Sequence, residues 1–262
     1  MQEEVLPGGI ANAGSVVRVG DHVLRPVQPA TASVHRFLRA LHEAGFAGAP
    51  RPIAIEADGR ERLTFLEGEV AVPPYPDWVQ SDEALISLAV LTRQLHDASR
   101  SFDPAGSPWS QEMADPAGGV MVCHNDICLE NVVFRDGDAV GFLDFDFAAP
   151  GDPVRDLATM IRMCVPADDG QSAANVGWEP ADRAVRSRLV ADAYGLSAEQ
   201  RMHLLAYLDD SIVRGGEWVR RKVEAGDPNF MRMWTDIGGM ERFDRRRRWW
   251  RENQGSFGKA LL

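Results

Sequence analysis

His124-Asn125-Asp126-Ile127-Cys128-Leu129-Glu130-Asn131, followed by Leu143-Asp144-Phe145-Asp146, is the stretch on which the reading of the whole chain turns. It places an Asp and an Asn five positions apart in a loop between short strands. A second pair of acids follows at the end of the next hairpin. Carboxylates and an amide oxygen gathered in one place are the donors a hard cation such as Mg²⁺ prefers. A carboxylate left off the metal can take a proton from an attacking hydroxyl. In-line positioning, neutralisation of developing charge and an orienter for the nucleophile are the parts phosphoryl transfer needs. Taken alone, an Asp-x-x-x-x-Asn is also common in turns whose side chains bond their own backbone.

Outward from this stretch, the flanks read as short strands. Val120–Cys123 forms one, and Val132–Phe134 with Val140–Leu143 form a hairpin around Asp136-Gly137. Upstream, Ser15–Val19 and His22–Arg25 read as a hairpin about Gly20-Asp21, with Pro26 stopping the second strand. Val34, Phe37, Leu38 and Leu41 recur at helical spacing over 31–44, where Thr31 or Ser33 caps the start and Gly45 ends it. Ile53–Ile55 and Arg62–Leu66 read as two further strands around Asp58-Gly59. After a proline-rich connector at 73–76, Ser81 caps a helix that begins Asp82-Glu83, acids that suit the start of the helix dipole. Helical patterns then fill 153–165, 180–194, 197–225 and 228–252. The fold class is α+β.

The motif His124-x-Asp126-x-x-x-x-Asn131 resembles the catalytic loop of protein kinases and their antibiotic-kinase relatives. Asp144-Phe145-Asp146, with Gly151-Asp152-Pro153 and Asp156-Leu157-Ala158, resembles the aminoglycoside phosphotransferase family, whose wider group includes choline kinases. The resemblance is tight over about 120–160, looser before it and weak after 165. It implies a two-lobed, protein-kinase-like fold. Residues 1–67 would be a small nucleotide-binding lobe with an antiparallel sheet and one helix. Residues 68–262 would be a larger, mainly helical catalytic and substrate-binding lobe. Asp126 would be the catalytic base or hydroxyl orienter, and Asn131 and Asp144 would hold Mg²⁺ against the phosphates of ATP or GTP. His124 would fix the loop and Asp156 would buttress it, although an acid in a first helical turn is favourable in any case. The resemblance leaves Asp146 between facing the metal and facing only the loop. Backbone groups of Thr64 and Leu66 would bond the base edge.

The N-terminal lobe departs from the family pattern. Arg25 stands where a Lys is expected, and 31–44 carries Val34, His35 and Arg36 where a mid-helix Glu would pair it. Two readings follow. In one, Arg25 holds the phosphates and is oriented by them, with Val23 and Arg25 sharing a strand face. In the other, Arg25 is a surface residue of a degenerate lobe. Gly9-x-x-x-x-Gly14-Ser15 lacks the Lys of a phosphate-binding P-loop and precedes a strand, so a flexible cover or ordinary hairpin glycine is expected there.

Composition narrows the function classes. The chain has 262 residues, 45% hydrophobic and 26% charged, enough for a sizeable core. Its formal net charge of −11 disfavours nucleic acid as a partner. No apolar run approaches membrane-spanning length, and the acidic start lacks signal-peptide character, so a cytoplasmic protein is expected. Cys123, Cys128 and Cys164 form no CxxC pair, which agrees with a reducing compartment and gives no metal site with His124. Arg245–Arg248 with Trp249-Trp250 lies among Glu241, Asp244 and Glu252 and is expected to be a solvated helix face with local ion pairs. Asp209, Asp210 and Glu217 read either as exposed helix acids or as the lining of a pocket for a cation.

The expected activity is therefore Mg²⁺-dependent transfer of a γ-phosphate to a hydroxylated small molecule, an antibiotic by resemblance. Choline-like amines and sugars are alternative acceptors. A catalytically silent nucleotide binder is the competing class, motivated by the missing Lys and helix Glu. Retention of Asp126, Asn131 and Asp144 argues against it.

Overall fold

The computed structural model describes residues 3–6 and 14–262, so most of the Gly9–Gly14 loop lies outside the described residues. Five antiparallel strands form the N-terminal sheet: β1 (Glu4–Val5), β2 (Val17–Val19), β3 (His22–Pro26), β4 (Pro52–Ile55) and β5 (Arg60–Thr64), in the order β1-β2-β3-β5-β4. Helix α1 (Thr31–Glu43) lies between β3 and β4 in sequence. Its buried face is Val34, Phe37, Leu38 and Leu41, as the 3.6-residue spacing predicts. The register pairs Arg25 directly with Glu61 across β3 and β5. That pairing carries most of what is unusual about the site.

The chain crosses out of this sheet at Gly68, whose φ of 145° and approach to Phe134 leave no room for a Cβ. Glu69 and Phe134 then exchange backbone hydrogen bonds of 2.8 Å. Helix α2 (Asp82–Ser99) starts on the Ser81 cap, whose Oγ accepts from the Ala84 amide. Two small antiparallel pairs follow: β6 (Met121–Cys123) with β9 (Ala149–Gly151), and β7 (Val132–Arg135) with β8 (Asp138–Phe142). The rest is helical: α3 (Pro153–Cys164), α4 (Gly170–Ala174), α5 (Arg183–Tyr194), α6 (Ala198–Glu224), α7 (Pro228–Asp236) and α8 (Gly239–Leu261). A continuous buried cluster runs from Val34 and Phe37 of α1 through Leu88 and Leu95 of α2 to Trp250 and Phe257 of α8. Among the described residues no helix is long and apolar enough to cross a membrane.

Several local expectations are corrected. The 228–252 helix is two helices, because Gly238 and Gly239 both adopt positive φ and break the helical path. Neither Thr31 nor Ser33 caps α1 by accepting from its backbone. Thr31 Oγ1 accepts from the Gln28 amide, and Ser33 donates to the Pro108 carbonyl. The last strand of the sheet ends at Thr64, so Leu66 lies beyond it.

Candidate active site

The catalytic-loop sequence is held by the start of α3. Asp156 accepts from the amides of His124 and Asn125, both at 2.8 Å, and from His96 Nε2 at 3.1 Å. Its burial raises the carboxyl pKa, but the hydrogen bond and charge of His96 and the His124 amide outweigh that and hold it below the ordinary range. His96 in turn meets the Tyr194 hydroxyl at 2.8 Å. The buried group His96, Cys123 and Asp156 has metal-ligating residue types, yet Asp156 and His96 are already committed to these hydrogen bonds.

His124 is neutral. Burial lowers its pKa, its Nδ1 accepts from the Asp126 amide at 3.3 Å, and Nε2 therefore donates to the Leu143 carbonyl at 2.8 Å. That last bond ties the Asp126 loop to the strand end that presents Asp144. Phe145 packs between His124 (centroids 4.7 Å apart) and Phe37 of α1 (6.3 Å), so the same loop is also fixed to the helix beside the sheet. Asn125 and Asp144 have φ of 64° and 55°, a left-handed conformation that Asn and Asp tolerate better than other side chains. These two turns aim the acids that flank them.

Asn131 donates through Nδ2 to both the carbonyl (3.0 Å) and Oδ2 (2.9 Å) of Asp126. Its amide oxygen is thereby turned away from Asp126. The Leu143 amide donates to the Asn131 carbonyl at 2.8 Å, which brings Asn131 and Asp144 together. The Asp126 carboxyl pKa is pushed up to about 7, first by burial and then by the charge of Asp144. A carboxylate with that pKa is matched to taking up a proton at neutral pH.

Arg25 is not a surface charge: it is only 8% exposed. Its Nε donates to Glu61 Oε1 at 2.8 Å, Nη1 to Asp144 Oδ1 at 3.2 Å, and Nη2 to Asp146. The other oxygen of Glu61 meets His35 Nε2 of α1 at 2.6 Å. The expectation that phosphates alone orient this arginine is therefore corrected. The carboxylate that the family pattern places on the helix is supplied by β5, and the helix position carries a histidine that reaches the same carboxylate. Glu61 was missed in the sequence. The available signal was its position: in Arg60-Glu61-Arg62-Leu63, Glu61 shares the buried face with Leu63.

One guanidinium here faces three carboxylates, leaving two formal negative charges. A divalent cation matches that surplus, and the Asp144, Asp146 and Asn131 oxygens are the hard donors it takes. At the expected base-edge contacts, the Thr64 amide donates to the Arg51 carbonyl at 2.9 Å. The Leu66 side chain lies against Gly141 of β8.

The arginine-rich C-terminal helix is only in part the solvated face expected. Arg248 is exposed and Arg245 pairs with Glu241 one turn away at 3.2 Å, but Arg246 is 6% exposed, and Arg242 and Arg246 converge on Asp168 Oδ2 at 2.7 and 2.6 Å. Asp209 accepts from Trp250 Nε1, Asp210 pairs with Arg155 and Arg214, and Glu217 with Arg247, so these acids are matched to donors.

The phosphotransferase enzyme family APH matches this chain over residues 109–205. In sequence the chain is 36% identical over 208 residues to the trifolitoxin immunity protein of Rhizobium leguminosarum bv. trifolii, an alignment covering 77% of each. In structure it resembles a choline/ethanolamine kinase family protein from Mesorhizobium loti, with a TM-score of 0.65 at 19% identity over 100% of this chain and 91% of that one. It also resembles wild-type aminoglycoside 2'-phosphotransferase-IIIa in its GDP complex, with a TM-score of 0.59 at 14% identity over 94% and 92%. The gentamicin complex of APH(2")-IIa matches with a TM-score of 0.59 at 12% identity over 90% of each chain. At these identities the structural likenesses establish a shared kinase-like fold.

Proposed function

The chain belongs to the APH phosphotransferase enzyme family, and from that premise we propose that it moves the γ-phosphate of ATP or GTP to a hydroxyl of a small molecule in the cytoplasm. The observation that carries this reading is the convergence of Asp126, Asn131 and Asp144 through the Asn131 amide and the Leu143 backbone. A silent nucleotide binder has no need of a carboxyl poised near neutral pH beside two oxygen donors. The loss of the helix Glu, which motivated that alternative, is offset by Glu61.

Asp126 orients the acceptor hydroxyl and takes its proton as the acceptor oxygen bonds to the γ-phosphorus. The bond from that phosphorus to the β-phosphate oxygen breaks, and a nucleoside diphosphate leaves. Asn131 and Asp144 would hold Mg²⁺, with Asp146 beside them. Bound there, the ion neutralises charge on the phosphate oxygens. Arg25, anchored through Nε to Glu61, keeps its two Nη groups directed at Asp144 and Asp146 and contributes positive charge where the phosphates lie. Residues 1–67 would hold the nucleotide, and helices after 165 would hold the acceptor.

An antibiotic or toxin is the acceptor class we favour. The sequence relative is named for immunity to trifolitoxin, and a structural neighbour is a gentamicin complex. The test is nucleoside diphosphate release by the purified protein with Mg²⁺ across a panel of hydroxylated antibiotics and metabolites. Acceptor-dependent release that vanishes in Asp126→Asn and in excess chelator is expected. Acceptor-independent nucleotide binding without turnover across the panel would return the chain to the silent class.

A further inference from the structure

The hydrogen bonds of Arg25 divide into a buried end and an open end. At the buried end, Nε donates to Glu61 Oε1 at 2.8 Å, and the other Glu61 oxygen meets His35 Nε2 at 2.6 Å. The Glu61 side chain is 4% exposed, and Arg25 and His35 are buried with it. A guanidinium is planar, so fixing Nε fixes the direction of both Nη groups. At the open end, Nη1 donates to Asp144 Oδ1 at 3.2 Å and Nη2 to Asp146 Oδ1. The side chains of these acids are 31% and 19% exposed. Both stand on the short turn that follows β8, Asp144 at a φ of 55° and Asp146 within the single helical turn Phe145–Phe147. The guanidinium is therefore the fixed partner, and the two acids are the partners that can turn about their own side-chain torsions.

The carboxylates that Arg25 holds are among the donors assigned above to a divalent cation, so the guanidinium and the cation compete for them. A cation that binds alone draws Asp144 and Asp146 away and leaves the Nη groups of a buried guanidinium without these acceptors, which is unfavourable. Phosphate oxygens that arrive alone meet two carboxylates of like charge. When both arrive, every group is matched: the carboxylates ligate the cation, and the Nη pair, still aimed by Glu61, donates to phosphate oxygens. We propose that Arg25 is a coupling residue that exchanges Asp144 and Asp146 for phosphate, so that the divalent cation and the nucleoside triphosphate bind cooperatively and each binds weakly without the other. This rests on the phosphotransferase reading and adds how that site admits its two ligands. The coupling is reciprocal by linkage, and it stands on top of the attraction between cation and phosphates themselves.

The experiment uses the full chain at fixed ionic strength. Mn²⁺ is titrated without nucleotide and followed by water-proton relaxation, and AMP-PNP is titrated calorimetrically at saturating Mn²⁺. The first variant combines Arg25→Met with Glu61→Leu. It loses one positive and one negative charge, so a change in Mn²⁺ affinity reports the released carboxylate oxygens and not the net charge. Without nucleotide it should bind Mn²⁺ about tenfold more tightly than the wild type, and at saturating Mn²⁺ it should bind AMP-PNP about tenfold more weakly. Arg25→Lys, which keeps a cation beside Glu61 but lacks the fork, should move both affinities in the same two directions by less and keeps the test open if the double variant does not fold. The opposite signs are the mark of coupling, because a site that is merely loosened loses affinity for both ligands. Mn²⁺ affinity at or below that of the wild type in the folded variants overturns the inference, as does unchanged AMP-PNP affinity. A wild type that releases nucleoside diphosphate while its variants show no tightening for Mn²⁺ keeps the kinase reading and loses only the coupling. A wild type that binds no AMP-PNP at saturating Mn²⁺ overturns the kinase reading and the coupling with it.

Discussion

Arg25 and Asp168 are opposite solutions to burying charge in one chain. At the first, one guanidinium faces Glu61, Asp144 and Asp146; at the second, one carboxylate faces Arg242 and Arg246, with Arg183 on its backbone carbonyl. A self-contained structural ion pair would balance its charges, since uncompensated charge in a low-dielectric interior is expensive. Neither centre balances. The negative surplus lies where a divalent cation and phosphates are proposed to bind, and it is of the sign that such a cation would neutralise.

The largest effect expected is at the Asp126 carboxyl. Asp126→Asn should lower turnover by about 10²–10⁴-fold. It should not lower stability. In the folded protein the Asp126 pKa is raised to about 7, so between about pH 4 and 7 the native state holds a proton that the unfolded chain has released. Wild-type stability from this group therefore falls as pH rises through that window, and the Asn variant should escape the loss. The same titration predicts that kcat/KM of the wild type rises with pH through about 7. A variant that melts well below the wild type at pH 8 would show that Asp126 is part of the fold's support.

The acid-rich centre is broken by Arg25→Ala, which leaves Glu61 buried without its cation. A loss of about 3–5 kcal/mol is expected from removing one partner of a buried pair. Arg25→Met combined with Glu61→Leu should recover most of that stability while leaving turnover low. Denaturant midpoints and rates on the same samples separate the two roles, and recovery of both would mean that Arg25 serves only the fold.

The arginine-rich centre is broken by Asp168→Asn, with a loss of about 2–4 kcal/mol because Arg242 and Arg246 lose their shared carboxylate. Burial tends to raise the Asp168 pKa, but Arg246 and Arg242 outweigh it and hold the carboxyl below its ordinary range. Its contribution is accordingly present above about pH 4 and disappears as pH falls through the folded pKa. A thermal scan of wild type and variant should converge in acid. Curves that stay parallel down to pH 2 would remove Asp168 from the account.

The smallest change expected is Asp146→Asn. With Asp144 retained, apparent Mg²⁺ affinity should weaken by about tenfold, since carboxylate count tunes such sites. A Mg²⁺ titration of activity checks this, and an unchanged midpoint would confine Asp146 to holding Arg25.

By itself the sequence determined the parts whose physics is local. The α1 stripe of Val34, Phe37, Leu38 and Leu41, the Ser81 cap of α2, and the spacing of Asp126, Asn131 and Asp144 each depend on residues close in the chain. Periodicity, capping and turn chemistry act over a few residues and leave a pattern that can be read. Only the tertiary structure decided that Glu61 replaces the helix acid, because a pairing across 36 residues is set by strand register and by which face of the sheet is buried. It likewise decided that Arg246 of the arginine run is buried. Arg242 and Arg246 meet Asp168 from 74 and 78 positions away, and sequence spacing carries no record of such an approach.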